Sequence, residues 1–509
     1  MAQVGIRTIT SYNPATGEAL AEVPVAGEAE IAVALQQARA AQPAWAALPI
    51  RERARVLRAF RRQLLTRAEW LTDLISCEQG RPRIEALVHE VMCVCDLIGY
   101  YTTHARRFLA DEHPWLHLYL YKRGIVQYVP YGVVAVIAPW NFPFLLPTSE
   151  VTLALLAGNA VILKPSELTP LVGAAIAELF AAAGLPEGVL QVVQGDGATG
   201  AALVHAEPDG PDKIAFIGGA VAGQRILEGA ARHLTPVTLE LGGKDPLLVL
   251  RDADLDRAAQ IAVWGGLCNA GQACAAVERI YVAREVADAF IARVVGLVEK
   301  LRLGATSGAS GPDGPRDAID IGPMTSERQL EIVAAQVEQA VAQGARTLVG
   351  GKRRDGRGFF YEPTVLVDVR DEMAVMREET FGPVLAIATF ATEDEAIARA
   401  NATPYGLCAA IFSRDRRRAR RLASRIHAGG VMINDVALSY AAPELPWGGF
   451  KRSGIGRVHW GAHGLRDYCQ PRAILHEWLR PLPRDLWEFP YGDGIRTYRR
   501  FLQLARLLW

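Results

Sequence analysis

Tyr131-Gly132-Val133-Val134-Ala135-Val136-Ile137-Ala138-Pro139-Trp140-Asn141-Phe142-Pro143 opens as an apolar, mostly β-branched run and closes in a loop bracketed by prolines. Such a run reads as a strand buried on both faces, with Trp140 and Asn141 delivered at its end. Tyr131 to Ser149 holds 19 residues without a charge, a length that suits a membrane helix, but Pro139, Pro143 and Pro147 would break one. A buried strand and its following loop is the better account. Working outward, Ala160 to Leu163, Val189 to Val193 and Lys213 to Ile217 are further Val/Ile-rich runs that alternate with helical stretches, the pattern of a parallel α/β sheet of the nucleotide-binding kind. Upstream, Ile31 to Arg67 and Arg81 to Phe108 repeat apolar residues at helical spacing. Downstream, a second α/β block runs from about Pro246 to Tyr440, with strands predicted at Arg279 to Val282, Val384 to Phe390 and Val431 to Asn434.

A chain of 509 residues that is 50% hydrophobic is too long for one core, so two or three domains are expected, with room for a cleft between them. Lys plus Arg and Asp plus Glu each total 55, and this balance argues against nucleic acid as a partner and for a small molecule. Seven cysteines, an odd and sparse set, point to a reducing cytoplasm rather than to a secreted disulfide scaffold. Met1 to Thr10 lacks the apolar segment of a secretory signal. Cys93 and Cys95 have no second ligand pair at metal spacing, so no metal is expected.

Cys274 ends the segment Asn269-Ala270-Gly271-Gln272-Ala273-Cys274, and Glu240 stands upstream in Leu239-Glu240-Leu241-Gly242-Gly243. An ordinary thiol is only slightly ionised at neutral pH, so a nucleophilic cysteine needs a polarising neighbour, and a carboxylate between apolar flanks is a candidate base. Without such company a lone Cys among small residues is buried filler. The company is Pro139-Trp140-Asn141-Phe142-Pro143, Lys164-Pro165-Ser166-Glu167, Phe216-Ile217-Gly218-Gly219 and Glu379-Thr380-Phe381-Gly382-Pro383. In this order the set resembles the aldehyde dehydrogenase superfamily, its NAD(P)-dependent, non-phosphorylating, hydrolytic branch, over roughly residues 8 to 475.

The resemblance implies an α/β fold: a Rossmann-like cofactor domain, a second α/β catalytic domain and a β-arm oligomerisation element. Residues 1–117 with 131–241 are then the NAD-binding domain, 242–440 the catalytic domain, 118–130 with 441–475 the oligomerisation or bridging element, and 476–509 a tail with an amphipathic helix. It further implies that Cys274 attacks an aldehyde carbonyl, that the Asn141 amide and the Cys274 backbone N–H hold the oxyanion, and that Glu240 brings water to the resulting thioester. Superfamily branches that pass the acyl group to coenzyme A usually lack that carboxylate, so a free carboxylic acid is the expected product.

For the cofactor, Lys164 and Glu167 look like an adenosine-ribose pair, and Glu167 should repel a 2′-phosphate, making NAD preferred over NADP. The resemblance places Glu379 on the nicotinamide ribose and Trp140, Phe381 and Leu241 beside the cofactor. The loop from Gly218 and Gly219 to Gly223 would let a pyrophosphate approach backbone N–H groups. Relatives usually read Phe-Thr-Gly-Ser there, whereas Ile217 and Gly219 leave this chain without the hydroxyls. A literal G-x-G-x-x-G at Gly195 to Gly200 lacks the acidic residue of the dinucleotide fingerprint at the end of the following strand and is read as a strand–helix turn. Gly/Ser/Pro-rich Ala305 to Asp317 is read as a surface loop.

Further departures are Glu150 and Val458, where many relatives carry Lys and Glu, Trp447 in Pro446-Trp447-Gly448-Gly449-Phe450-Lys451, and Ser149 at a position bulky in some relatives, which suggests a roomier entrance for aromatic or medium-chain aldehydes. Leu118 to Val129 alternates like an exposed arm, so a homodimer or homotetramer is expected. Gly494 to Trp509 reads as a basic amphipathic helix with Ile495, Tyr498, Leu502, Ala505 and Trp509 on one face. Docking on a neighbouring subunit is favoured over a membrane surface. Two rival functions stand beside the dehydrogenase: a nitrilase-like cysteine hydrolase using Cys274, Glu240 and Lys164 without nicotinamide, and a non-catalytic protein that retains the fold.

Overall fold

In the computed structural model, residues 7–305, 318–436, 441–456, 460–479, 488–492 and 494–508 are described. They fall into one unit of residues 1–109 with 130–470 and a second of 110–129 with 471–509. The first unit opens with an antiparallel ribbon, β1 (Thr8–Tyr12) and β2 (Ala19–Pro24), which the sequence reading missed. The helical stretch expected from Ile31 to Arg67 is two helices, Glu28–Ala47 and Ile50–Thr66, because Leu48 precedes Pro49 and is forced to an extended backbone. A π-helical segment, Ala86–Met92, lies within the stretch predicted from Arg81 to Phe108, ahead of the helix Cys93–Phe108.

The strand β3 (Lys122–Pro130) comes next, and then the quoted stretch forms β4 (Val133–Ile137), buried throughout. With β5 (Ala160–Lys164), β6 (Leu190–Val192), β7 (Lys213–Ile217) and β8 (Val237–Glu240) it makes a parallel sheet in the order β6-β5-β4-β7-β8. Chain order reverses between β4 and β7, and in doubly wound sheets that switch point is where ligands bind, beyond the strand ends. The helix Leu145–Ala157 is buried all round, and Thr148, Ser149, Glu150 and Thr152 are buried with its apolar residues.

A second sheet takes β9 (Asp245–Val249), β10 (Val277–Ala283), β11 (Arg346–Val349), β12 (Thr364–Val367), β13 (Val384–Phe390), β14 (Cys408–Phe412) and β15 (Gly430–Ile433) in the order β11-β12-β13-β10-β9-β14-β15. Each sheet has its own core: Ala135, Ile162 and Ile214 with Ile31 and Leu35 in the first, Leu247, Ile280, Ile387 and Ile411 in the second. A short β16 (Gly454–Ile455) returns to the first sheet and pairs antiparallel with the end of β8.

In the second unit β3 pairs with β17 (Cys469–Glu477) as a two-stranded sheet. Strand β3 begins later than the Leu118 to Val129 alternation predicts, because the Lys122 N–H donates to the Tyr119 carbonyl in a turn. The helix Gly494–Leu508 follows; Trp509 lies outside the described residues, as do the Ala505 side chain, Val458 and residues 306–317 of the predicted surface loop. Among the described residues no helix is long and apolar enough to cross a membrane. The G-x-G-x-x-G segment is a turn into the helix Gly197–Val204, capped by Asp196, which accepts from the Ala198 N–H.

Candidate active site

Three strand ends of the first sheet meet at the switch point. β4 runs into Pro139, Trp140 and Asn141, β7 into Gly218 and Gly219, and β8 ends at Glu240; together with Leu241, Cys274, Glu379 and Phe381 they wall a cavity of about 320 Å³.

Cys274 reaches this cavity from the second sheet, on the loop that enters β10. Asn269, Ala270 and Gly271 in that loop are all left-handed, with φ of 54°, 53° and 74°. For Ala270 this costs on the order of 1 kcal/mol, so the turn must be held from outside. Asn269 supplies much of the hold. Its backbone N–H donates to Glu85, its Nδ2 donates to the carbonyls of Asn141 and Gln272, and its Oδ1 accepts from Gln79. Gln272 donates back to the Asn269 carbonyl and accepts from the Thr325 N–H. A Cβ at Gly271 would collide with the Gly382 carbonyl. Arg81, fully buried, donates to the Asn141 carbonyl and pairs with Glu90 at 3.1 Å.

The Cys274 thiol donates to Glu240 Oε1 at 3.5 Å. Burial first, and then the Glu240 carboxylate, hold the thiol well above its ordinary pKa, so a base in contact is needed to ionise it. Glu240 is itself buried, and the Trp447 indole N–H donates to the same Oε1 at 3.0 Å. The backbone there is also tied down: β16 pairs Gly454 with Glu240, and the Leu241 N–H donates to the Ser453 carbonyl. Asn141, also buried, donates one proton of Nδ2 to the Gln272 carbonyl at 3.2 Å and has a second to give.

On the other side of the cavity, Trp140 and Phe381 meet edge to face with centroids 5.5 Å apart. Phe381 is left-handed, at φ 51°. Glu278 holds that loop: its carboxylate accepts from the amides of Thr380 and Phe381 and from the Lys244 ammonium at 2.5 Å. Gln329 donates to the carbonyls of Thr380 and Phe381. Glu379 accepts from the Gly243 N–H at 3.2 Å and can approach because Gly242 has no side chain. Burial, and after it the Glu278 carboxylate, push Glu379 up to about 8.

Three of the predicted cofactor residues lie apart from this cavity. Lys164 ends β5 and Glu167 follows it, with the ammonium 3.7 Å from the carboxylate; burial lowers the lysine's pKa. Gly223 is inside the helix Ala220–Ala231, where its N–H donates to the Gly219 carbonyl and a Cβ would lie 2.7 Å from Leu241, so its smallness serves packing. The Gly218 N–H donates to the Glu240 carbonyl, while no side chain caps the first-turn amides that follow Gly219. Ser149 is fully buried and donates to the Leu145 carbonyl, away from the cavity wall.

Sequence reading passed over Trp447's bond to Glu240, the holding role of Asn269 and Gln272, and the Lys244–Glu278 pair under the loop of Glu379 to Phe381. The available signal was polarity in apolar company: Asn269 and Gln272 in a small-residue loop, Glu278 at the start of β10. All seven cysteines are free. Among the described residues one trio of side chains, Glu85, His89 and Cys268, brings ligand-capable atoms within 4.8 Å of one another. Glu85 is engaged by the Asn269 N–H and so helps to hold the turn before Cys274.

A parallel sheet whose switch point opens on a thiol in contact with a carboxylate is suited to a nucleotide-binding enzyme with a reactive cysteine. Nitrilase-like hydrolysis gains no support, since Lys164 is held at a different strand end from Cys274. The chain belongs to the aldehyde dehydrogenase family, matching it over residues 2–474; the family's reaction is oxidation of an aldehyde to the carboxylic acid with a pyridine nucleotide. It is 43% identical to a 4,4'-diapolycopene aldehyde oxidase from Methylomonas sp over 498 residues, 97% of this chain and 91% of that one. An NAD-dependent aldehyde dehydrogenase from Sinorhizobium meliloti superposes with a TM-score of 0.88 at 37% identity, covering 94% of this chain and 93% of that one. An E. coli NADP dependent enzyme gives 0.87 at 36% identity, covering 92% and 95%.

Proposed function

We propose that this chain is an NAD-dependent aldehyde dehydrogenase with Cys274 as nucleophile, Glu240 as general base and Asn141 as oxyanion donor. The observation that carries the reading is the 3.5 Å contact between the Cys274 thiol and Glu240 in a cavity shared with the Asn141 amide. Glu240 takes the thiol proton as sulfur adds to the aldehyde carbon; Asn141 Nδ2 and the Cys274 N–H face the oxygen that becomes negative. A nicotinamide held beside Trp140, Phe381 and Glu379 would supply the hydride acceptor for this carbon, and Cys274 keeps the acyl group on its sulfur as a thioester. Glu240 gives up the thiol's proton to solvent and then draws a proton from water as the water adds to the thioester; it returns that proton to the departing sulfur, which releases the acid and the thiol.

Fit to a dinucleotide rests on the switch-point cavity, on the uncapped first turn after Gly219, which suits a pyrophosphate, and on the room that Gly242 leaves for Glu379 beside a nicotinamide ribose. Lys164 and Glu167 would take the adenosine ribose. Because Glu167 is partly exposed, its discrimination is modest: Glu167→Gln should raise kcat/KM for NADP relative to NAD by about tenfold. An unmoved ratio would remove Glu167 from cofactor selection.

For the substrate we favour a bulky apolar aldehyde, in keeping with the relative named for 4,4'-diapolycopene aldehyde. A reducing cytoplasm is supported by seven free cysteines, and a homodimer or homotetramer by the two-stranded β3–β17 sheet, an arrangement marginal on its own. The direct test is NADH formation with aliphatic, aromatic and polyene aldehydes, with NADP in parallel. No turnover of any aldehyde with either nucleotide would end the reading.

Trp447 is a positioning residue in this scheme. Trp447→Phe should slow thioester hydrolysis roughly tenfold, the worth of one hydrogen bond to a buried carboxylate. Stopped-flow would show it as an NADH burst followed by a slower steady state; equal burst and steady-state rates to the parent would assign Trp447 to packing alone.

A further inference from the structure

The helix Gly494–Leu508 carries two faces that the dehydrogenase reaction does not use. At 3.6 residues per turn, Ile495, Tyr498, Phe501, Leu502 and Leu504 fall within roughly half of its circumference. Ile495, Phe501, Leu502 and Leu504 are each more than half exposed, at 63%, 55%, 62% and 61%. Arg496, Arg499, Arg500 and Arg506 fall within roughly a third of the circumference on the other side, and the helix has no acidic residue. Just upstream, Leu479, Phe489 and Tyr491 are more than half exposed as well.

We propose that this helix binds the surface of an anionic lipid bilayer, lying in the plane of the headgroups. Charge decides between occupants. The chain as a whole is formally neutral, yet the sequence of this helix carries four arginines and no acidic residue. Phosphate headgroups meet the arginine face while the aromatic and aliphatic face enters the acyl boundary, the division of labour of interfacial helices. A helix docked on a second protein copy shows a narrower apolar stripe and mixed charges outside it. Fifteen residues reach only about 22 Å, too short to span about 30 Å of hydrocarbon, so the helix lies on the bilayer. The inference stands on the helix alone; if the substrate is a lipid-dissolved aldehyde, the bilayer is also where enzyme and substrate meet.

The test is flotation of the full-length protein with extruded vesicles of phosphatidylcholine alone and of phosphatidylcholine with 30 mol% phosphatidylglycerol. The protein should float with the anionic vesicles, at least tenfold more than with neutral ones, and come off in high salt. Phe501→Glu with Leu502→Glu should abolish flotation while leaving oxidation of a water-soluble aldehyde unchanged, which shows the variant is folded. Arg496→Gln with Arg499→Gln and Arg500→Gln should remove the preference for anionic lipid. Absence of flotation with both vesicle types would overturn the proposal, as would equal binding to both. So would a fall in sedimentation coefficient in the double glutamate variant without lipid, which would assign the helix to a second copy of the chain.

Discussion

Cys274→Ala is expected to lower aldehyde oxidation by at least 10⁴-fold, with NAD still bound at close to the parent affinity. The size follows from the role proposed for the sulfur: without it there is no adduct from which hydride can leave and no thioester for Glu240 to hydrolyse, so two steps are lost together. The substitution is gentle to the fold, since the turn before residue 274 is held by Asn269, Gln272 and Gly271. NADH absorbance and NAD titration by tryptophan fluorescence would separate the two effects. Oxidation in the alanine variant within tenfold of the parent would remove Cys274 from the chemistry, and with it the covalent mechanism.

Glu278→Ala is the second large expectation, and its effect is on stability and cofactor affinity together. Lys244 and Glu278 are both buried and their charged groups are 2.5 Å apart. Removing one member of such a pair strands the other in low dielectric, at a cost of about 3–5 kcal/mol. The same carboxylate accepts the amides of Thr380 and Phe381, so the loop that presents Glu379 and Phe381 should loosen and KM for NAD should rise. The double variant Lys244→Met with Glu278→Leu separates the two roles: the urea midpoint should recover most of its loss while KM stays high, because the amides still lack an acceptor. Recovery of both would mean the loop is held elsewhere.

How much of this could be read from the residues depends on how far apart in sequence the partners lie. Strands β4, β5 and β7 are legible because burial on both faces leaves an apolar run, and β13 because its run from Val384 to Ala388 is buried as well. β9 and β14 sit in the same kind of environment, but Pro246 and the alanines at 409 and 410 dilute the pattern, and neither was picked out. Cys274, Glu240 and Asn141 are legible as motif residues, and all three line the cavity. What local sequence does not carry is the bond between Trp447 and Glu240, which are 207 positions apart, or that between Gln79 and Asn269, 190 apart. Trp447 showed only as a departure from a motif; its meaning is a hydrogen bond that exists once β16 lies beside β8. Gly223 shows the opposite failure, a glycine whose place in a phosphate-like loop suggested ligand contact and whose neighbour is Leu241.

The sulfur of Cys274 belongs to a loop entering one sheet and the carboxylate of Glu240 to a strand leaving the other, and 3.5 Å separates them. That gap is therefore a gauge of how the two sheets are aligned. A substitution deep in either core, far from any substrate, that slides one sheet by half an ångström would change the rate at which iodoacetamide alkylates Cys274. Alkylation kinetics across a set of core variants would thus chart the mechanical stiffness of the whole molecule through a single atom.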